Sequence, residues 1–308
     1  MKGPLFYAKI LLFGEYGIIK DSKGLAIPYN NFRGALKSTK ELEGASKESN
    51  EGLWKFFEYL KSLNSDLVSF DFESFEKDLQ QGMYFDSSIP QGYGVGSSGA
   101  LVASVYDEYA LDKITVLENL TREKLLELKK IFSEMESFFH GKSSGLDPLN
   151  SYLSLPILIN SKENIEPAGI PSQKEGKGAV FLLDSEQVGE TEPMVNIFMN
   201  KMKNEGFRKM LSEEFSLYTD ACIEDFLNGN VNSLFGNVKK LSKVVLHNFK
   251  PMIPKAFHKV WEQGIHTNDY YLKLCGSGGG GYILGFTEDF EKAKKSLENY
   301  KLELVYRF

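Results

Sequence analysis

The composition of the chain is that of an ordinary folded protein. It has 308 residues and a net charge of −6 at pH 7, with 42% hydrophobic and 25% charged residues, which excludes a disordered chain. No long basic run is present, so neither a nucleic acid nor a membrane is an expected partner. No stretch approaches the roughly 20 apolar residues that cross a bilayer, and no signal peptide is predicted. Only two cysteines occur, Cys222 and Cys275, which favours a reducing compartment, and we expect a cytoplasmic protein.

Strand and helix patterns alternate along the first half of the chain. Residues 5–13 are apolar and strand-like, and extended character resumes at residues 25–29. Residues 37–50 are polar and weakly periodic, which predicts a surface loop, and an apolar stripe predicts a helix at 51–63. The next predicted elements are a strand at 67–72, a buried helix at 100–109 and an amphipathic helix at 121–139 capped by Thr121.

A stretch rich in Gly, Pro and Lys, residues 167–178, predicts a linker. We therefore expect an N-terminal domain of residues 1–178 and a C-terminal domain of residues 179–308. The C-terminal domain is predicted to contain a strand, three helices, two strands around a glycine cluster, a short helix and a final strand: 179–183, 195–210, 213–227, 231–248, 270–274, 282–286, 289–300 and 302–308.

Residues 90–100 form a loop rich in glycine and serine that leads into the predicted helix at 100–109. Alternating glycines let a backbone turn sharply and approach a ligand closely. A helix that starts here presents N–H groups and the positive end of its dipole, an arrangement that binds phosphate. The hydroxyls of Ser97 and Ser98 can add a hydrogen bond or a magnesium contact.

The glycine spacing of this loop separates it from two common phosphate-binding motifs. No Gly-Lys-Ser/Thr ending closes it, so it is not a P-loop. The spacing also differs from the dinucleotide fingerprint, and no acidic residue follows about 20 residues later to bind a ribose. A structural turn that opens a helix is the alternative interpretation.

Two carboxylates and a histidine occur near the end of the predicted helix at 121–139. Glu136 and His140 are four residues apart and share a helix face, and Asp147 follows in a Ser/Gly turn. Two carboxylates suit phosphoryl transfer, one for a metal and one for the attacking hydroxyl. The structural alternatives are a solvated Glu136, an Asp147 that only forms a turn, and a His140 that caps helix carbonyls.

Two charged residues near the N-terminus and a second glycine cluster are further candidates. Lys9 interrupts an apolar strand, so it is either exposed at an edge or buried beside a carboxylate or phosphate. Glu15 follows in a turn, where a solvated carboxylate is the simpler interpretation. Residues 276–281 contain five glycines between two strands, which indicates a close backbone approach or a flexible hairpin tip.

The order of these motifs resembles that of the GHMP kinase superfamily and, within it, of the mevalonate kinases. The matching segments are residues 8–16, 90–100, 140–147 and 273–281. The segments between these motifs are not assigned to the family.

The resemblance implies a role for each matching residue. Asp147 faces the substrate hydroxyl with Lys9 beside it, and Ser98 and Glu136 coordinate Mg²⁺. The ATP phosphates contact Gly94, Val95, Gly96, Ser97, Ser98, Gly99 and Ala100, and the acceptor contacts Glu15, Tyr16, His140, Gly276, Ser277 and Gly278.

The resemblance also implies a fold and partners. The fold is α+β in two domains, with an N-terminal α/β domain like the second domain of ribosomal protein S5 and a ferredoxin-like C-terminal domain, and with the site in the cleft between them. ATP and Mg²⁺ are the implied cofactors, and a small alcohol such as mevalonate is the implied substrate. A homodimer is compatible with the sequence, which does not determine the oligomeric state.

Four residues depart from the usual mevalonate kinase pattern. Tyr7-Ala8 stands where Pro-Gly usually precedes the lysine, Tyr16 replaces a histidine, and Gly99 replaces an alanine. The last two are features of phosphomevalonate kinases, whereas residues 140–147 have the mevalonate kinase form.

The resemblance therefore implies a kinase that phosphorylates mevalonate in isoprenoid biosynthesis. Phosphomevalonate kinase is the main alternative and would require a further cation for the acceptor phosphate, for which Lys142 and Arg33 are the candidates. The motifs are also compatible with a sugar or amino-alcohol kinase, with a decarboxylase of the same superfamily, and with a non-catalytic nucleotide-binding or metabolite-binding protein.

Overall fold

The computed structural model describes residues 4–20, 22–63, 66–115 and 120–308. The chain divides into two compact units of interleaved segments. The N-terminal unit comprises Met1–Lys9, Pro28–Pro90 and Gly96–Leu155, and the C-terminal unit comprises Ile10–Ile27, Gln91–Val95 and Pro156–Phe308. The predicted division at residue 178 stays a prediction.

Two strands, β1 (Phe6–Phe13) and β2 (Gly24–Ser38), pass from one unit into the other. The other elements of the N-terminal unit are α1 (Gly44–Ser62), β3 (Ser69–Phe70), α2 (Phe72–Gln80), β4 (Met83–Ser87), α3 (Ser97–Tyr109), β5 (Ala110–Leu111), α4 (Arg122–His140) and α5 (Leu146–Leu153). Strand β4 pairs antiparallel with the second half of β2, with Ser38 opposite Met83.

The core of the N-terminal unit is made by the apolar faces of its helices. Helix α4 buries one stripe of side chains, as its period predicts, and Thr121 caps it by accepting a hydrogen bond from the Lys124 N–H. Helices α3, α4 and α5 pack together, and their aromatic rings meet edge to face, with the centroids of Tyr106 and Phe132 5.0 Å apart. This packing holds the ends of three helices in fixed positions.

Helix α1 begins at Gly44, so the surface loop predicted for residues 37–50 is wrong in its second half. The helix starts with a reciprocal cap, in which the Glu43 N–H donates to Ser46 Oγ at 3.0 Å. The first two turns are mostly polar, so no apolar stripe marks them. The strand predicted at 67–72 is also shorter than expected, because Asp71 caps a helix that starts at Phe72.

Buried Asn50 fixes the side of α1 that faces the core. Its amide donates to the carbonyls of Leu79 at 3.2 Å and Met83 at 2.6 Å, and 6% of the residue is exposed. A polar residue at a core position hides the helical period from sequence analysis, which explains the late predicted start.

The C-terminal unit is built around an antiparallel sheet of four strands in the order β11-β8-β10-β9. Its elements are β6 (Ile157–Ser161), β7 (Asn164–Pro167), β8 (Ala179–Asp184), α6 (Thr191–Lys201), α7 (Glu205–Met210), α8 (Ser216–Leu227), α9 (Val231–Asn248), α10 (His258–Thr267), β9 (Tyr271–Leu274), β10 (Tyr282–Thr287), α11 (Phe290–Ser296) and β11 (Leu302–Arg307). Helix α9 packs on β9 and β10, and α8 packs on α9. The predicted elements of this half are thus present, with 195–210 broken into two helices.

The helices in the described part of the chain are too short or too polar to cross a bilayer.

We expect Asn50→Leu to lower the free energy of unfolding by about 2 kcal/mol, because two buried carbonyls lose a donor. Urea unfolding followed by circular dichroism measures this loss. Glu51→Leu, at an exposed position of the same helix, is the control and should change stability by less than about 0.5 kcal/mol. Equal stability of the two variants would contradict the role given to Asn50.

Candidate active site

The glycine-serine loop ends at helix α3, whose first residue is Ser97. Gly96 caps the helix in the left-handed conformation, with φ of 80°, and a side chain there would place Cβ 2.9 Å from Lys9 Cγ. Glycine is therefore required for its backbone and for its size. The Ala100 N–H donates to the Gly96 carbonyl at 3.1 Å, so the N–H groups before it precede the first helical hydrogen bond.

Lys9 and Asp147 form an ion pair in the N-terminal unit. Lys9 Nζ lies 2.8 Å from Asp147 Oδ1, and the side chains are 7% and 35% exposed. Lys9 is thus the buried lysine with a carboxylate partner, and not a lysine exposed at a sheet edge. Asp147 lies in the first turn of α5. Because the ammonium group of Lys9 is almost completely shielded from water, it requires a carboxylate partner. The side chain of Asp147 remains partly exposed to solvent.

Ser98 and Glu136 also meet in this unit. Ser98 Oγ donates to Glu136 Oε1 at 3.0 Å, and Ser143 Oγ donates to Glu136 Oε2. Glu136 is buried, so the solvated carboxylate considered from the sequence is wrong. Burial, followed by the negative charge of Asp147, raises the pKa of Glu136 to about 8.

His140 completes a short polar chain. Its Nε2 atom lies 3.1 Å from Ser98 Oγ, so the ring contacts the serine rather than capping helix carbonyls. The single hydroxyl hydrogen of Ser98 is already used in the hydrogen bond to Glu136, so Ser98 Oγ can only accept from the ring. The tautomer with a proton on Nε2 therefore fits this contact. Burial is the main cause that lowers the pKa of His140, and this favours the neutral ring. The acceptor contact predicted for His140 stays a prediction.

The oxygen ligands at this position suit Mg²⁺. The Ser98 hydroxyl and a Glu136 carboxylate oxygen are hydrogen-bonded neighbours, and hard cations prefer such oxygen pairs. Within the described ranges, no group of three or more His, Cys, Asp or Glu side chains could hold a metal ion alone. Mg²⁺ commonly binds through one or two protein oxygens, with substrate phosphates and water supplying the rest, and the residues here fit that type of site.

The space around Gly99 is too small for any side chain. A Cβ atom on Gly99 would lie 2.7 Å from the Asp147 carbonyl carbon and 2.8 Å from Pro148 N. These are backbone atoms of α5 and cannot rotate away. The close contact between α3 and α5 therefore sets where Asp147 lies, and it requires glycine.

In the C-terminal unit, the second glycine cluster packs against residues 92–95 of the first loop. A Cβ atom on Gly94 would lie 2.6 Å from the Cys275 carbonyl oxygen, and one on Gly281 would lie 2.5 Å from Tyr93 Cα. The Tyr282 N–H donates to the Tyr93 carbonyl at 3.3 Å. The cluster is thus a close backbone approach and not a free hairpin tip.

Glu15 and Tyr16 also lie in the C-terminal unit, in the turn after β1. Glu15 is buried and forms an ion pair with Lys273, which is equally buried. The Tyr16 hydroxyl donates to the Ser277 carbonyl at 2.6 Å, which brings the turn to the second glycine cluster. Sequence reasoning missed Lys273, although a lysine within an apolar strand is the same signal that marked Lys9.

The predicted site residues thus fall into two groups. Each group is compact within its own unit, and the assigned roles stay predictions. The first group, in the N-terminal unit, holds Lys9, Gly96, Ser97, Ser98, Gly99, Ala100, Glu136, His140 and Asp147, and the second, in the C-terminal unit, holds Glu15, Tyr16, Gly94, Val95, Gly276, Ser277 and Gly278.

Comparison with known proteins identifies the fold. Residues 54–154 match the model of the GHMP kinases N-terminal domain. The structure is similar to that of L. major mevalonate kinase in complex with R-mevalonate, with a TM-score of 0.62 at 15% identity over 100% of this chain and 99% of that one. The superfamily resemblance and the mixed α and β fold predicted from the motifs are confirmed.

Other similar structures are those of kinases named for different acceptors. Streptococcus pneumoniae phosphomevalonate kinase in complex with phosphomevalonate and AMPPNP has a TM-score of 0.60 at 14% identity, over 98% of both chains. Lactococcus lactis galactokinase complexed with galactose has a TM-score of 0.61 at 12% identity, over 98% of this chain and 92% of that one. No curated protein sequence matches the chain significantly. At these identities the similarity shows the fold.

We expect Gly99→Ala to destabilise the protein by about 1–3 kcal/mol, because the new methyl group meets the α5 backbone. Gly236→Ala is the matched control, since this exposed helical glycine in α9 has open space around it. The control should gain about 0.5–1 kcal/mol from helix propensity. Chemical unfolding of both variants measures the difference, and a stabilised Gly99→Ala would show that α5 does not lie against Gly99.

The raised pKa of Glu136 predicts how the stability of the metal-free protein depends on pH. The folded pKa of about 8 lies above the ordinary value of 4.5, so the unfolded chain releases this proton first. Stability from this group is therefore present below pH 4.5 and is lost as pH rises toward 8. Glu136→Gln avoids the loss, and its melting temperature should exceed that of the parent by about 3 °C or more at pH 8 and by less at pH 5.

Calorimetric scans of both proteins in a metal chelator measure this difference. Glu127→Gln, at an exposed position of the same helix, should show no such trend with pH. A pH-independent difference for Glu136→Gln would contradict the raised pKa.

Proposed function

We propose that this protein transfers the γ-phosphoryl group of ATP to the hydroxyl of mevalonate. Residues 54–154 match the model of the GHMP kinases N-terminal domain, and the fold of the whole chain is similar to that of L. major mevalonate kinase. The observation that carries the proposal is the grouping of Lys9, Asp147, Ser98 and Glu136 within one unit. These four residues supply a paired carboxylate and an oxygen site for a metal, which are the main requirements of phosphoryl transfer.

The nucleotide phosphates bind at the N-terminus of α3 in this proposal. The N–H groups of Ser97, Ser98 and Gly99 come before the first helical hydrogen bond, and the helix dipole favours anions there. Ala100 is fully buried and its N–H already donates to the Gly96 carbonyl, so it supports the loop from below rather than donating to a phosphate. Gly96 leaves room for Lys9, whose chain passes directly beside the loop.

Asp147 acts on the acceptor hydroxyl. It accepts the hydroxyl proton, or orients the hydroxyl, while the new bond from the acceptor oxygen to the γ-phosphorus forms and the bond from phosphorus to the β–γ bridging oxygen breaks. Lys9 holds one oxygen of Asp147 through the 2.8 Å contact, which leaves the other oxygen to face the acceptor. ADP leaves with the electrons of the broken bond. Positioning of this kind can lower the barrier by several kcal/mol.

Ser98 and Glu136 hold Mg²⁺ in this proposal. When bound, the ion neutralises charge on the phosphates. The hydroxyl of Ser143 and the ring of His140 keep the two ligands oriented, since one contacts the far oxygen of Glu136 and the other contacts Ser98 Oγ.

The charge balance supports mevalonate over phosphomevalonate as the acceptor. The buried ammonium groups of Lys9 and Lys273 each face a carboxylate, so neither offers an uncompensated charge to an acceptor phosphate. Lys142 and Arg33, the candidates for that task, are exposed side chains. Residues 140–147 also keep the mevalonate kinase form. Phosphomevalonate is the second candidate because Tyr16 and Gly99 have the form found in phosphomevalonate kinases.

ADP release measured over a panel of acceptors tests this proposal. With ATP and Mg²⁺, we expect turnover with mevalonate and at least about tenfold lower kcat/KM with phosphomevalonate, galactose or an amino alcohol. Faster turnover of another alcohol would correct the acceptor and keep the kinase. ATP binding without turnover of any acceptor would instead indicate a non-catalytic nucleotide-binding protein.

Asp147→Asn and Lys9→Met should each lower kcat by at least about a hundredfold, the scale of losing one strong contact in the transition state. Calorimetry should show that both variants still bind ATP. Lys37→Met removes a lysine from an exposed ion pair with Asp86 in the same unit and should leave kcat unchanged. Near-normal turnover of either site variant would remove the catalytic assignment.

A further inference from the structure

A second buried ion pair lies in the C-terminal unit, outside the residues that handle the phosphoryl group. Lys273 occupies β9, where all four residues are buried. Its ammonium group donates to the Glu15 carboxylate and, at 2.9 Å, to the Leu274 carbonyl. The side chains of Lys273 and Glu15 are 3% and 5% exposed, so water reaches neither charge.

The surroundings of this pair are apolar. Lys273 and Glu15 line a small cavity together with Tyr16 and five apolar side chains: Phe215, Leu241, Val245, Phe249 and Leu274. Two opposite charges in such a place attract strongly, and each is costly without the other. The pair therefore fixes the distance between the segments that carry it.

These segments are the turn at residues 14–17 and the end of β9, directly before the second glycine cluster. The turn is also attached to the cluster itself, because the Tyr16 hydroxyl donates to the Ser277 carbonyl. The Tyr16 ring is itself held by Phe198, with the ring centroids 4.7 Å apart. The stretch from Lys273 to Ser277 is thus tied to the turn at both of its ends.

The same stretch packs against Gly94, in the part of the first glycine loop that belongs to the C-terminal unit. Gly94 lies so close that a Cβ atom there would be 2.6 Å from the Cys275 carbonyl oxygen and 3.6 Å from Gly276 Cα. Cys275 and Gly276 face Gly94 with backbone atoms and leave no room for a side chain there, so a movement of Cys275 toward the loop would displace Gly94. The ion pair thus acts on Gly94 indirectly: Lys273 fixes the adjoining backbone at Cys275, and Cys275 packs against Gly94.

We infer that Lys273 is a positioning residue: its pairing with Glu15 holds residues 274–277 in place and, through them, the backbone of Gly94 in the nucleotide-binding loop. Glu15 then serves Lys273 rather than the acceptor, which changes the role expected for it from the family resemblance. The inference rests on the proposed function only where a nucleotide is used as the probe.

Four variants separate positioning from plain stability. Lys273→Met leaves a buried carboxylate unpaired, and Glu15→Gln leaves a buried ammonium group without its counter-ion. The double variant Glu15→Gln/Lys273→Met removes both charges. Lys301→Met is the matched control, because it breaks an ion pair with Glu186 in the same unit in which both side chains are largely exposed.

The first measurement is the binding of AMPPNP and Mg²⁺ by calorimetry, without an acceptor. Both single variants should melt at lower temperature, whereas the double variant should recover most of the parent's melting temperature. The double variant should nevertheless bind the nucleotide at least about tenfold more weakly, since the tie is gone. Full recovery of both properties would reduce the pair to a structural role, and a selective rise of the acceptor KM in Glu15→Gln would return Glu15 to the acceptor.

The second measurement is hydrogen exchange of the backbone amides of residues 92–95 and 274–281, which requires no ligand. Exchange there should be at least about tenfold faster in the double variant than in the parent and unchanged in Lys301→Met. Equal exchange in the double variant and the parent would overturn the inference, whether or not the parent binds nucleotide. A parent protein that does not bind nucleotide would overturn the proposed function and leave the inference standing.

Discussion

Lys9 lies in a strand whose neighbouring side chains are apolar, and its ammonium group is almost removed from water. An unpaired charge in such a place costs several kcal/mol, so the fold has to bring a carboxylate to it. The N-terminus of α5 supplies Asp147 at 2.8 Å. Much of the local structure follows from this need, including the small residues that let α3 approach both the lysine and α5.

Gly96 and Gly99 show how closely the parts depend on one another. Gly96 has no side chain and so leaves space for the aliphatic part of Lys9, and Gly99 leaves space for the backbone around Asp147. The same turn of helix places Ser98 against Glu136. The start of α3 therefore positions a loop suited to anions, a serine suited to a metal, and Gly99 against the backbone of Asp147. A shift of any one of these would displace the others.

The sequence predicted the parts whose signal is local. The glycine-serine loop, the helix that follows it and the cap at Thr121 are marked by residues close together in the chain, and the structure has them. The burial of Glu136 and Lys9 could not be decided in this way, because it depends on partners far along the chain. Helix α1 was missed at its start because its first turns are polar and its core position holds Asn50. Lys273 carried the same signal as Lys9, but no local pattern pairs it with Glu15, which the resemblance assigned to the acceptor.

The pairing of Glu15 with Lys273 joins residues 258 positions apart. During synthesis at about 5–20 residues per second, Glu15 is made roughly 13–50 s before its partner. Throughout that time the carboxylate is stable only in water, so the segment around residues 14–17 has to remain solvated. The C-terminal unit can therefore enclose this segment only after nearly the whole chain has been translated.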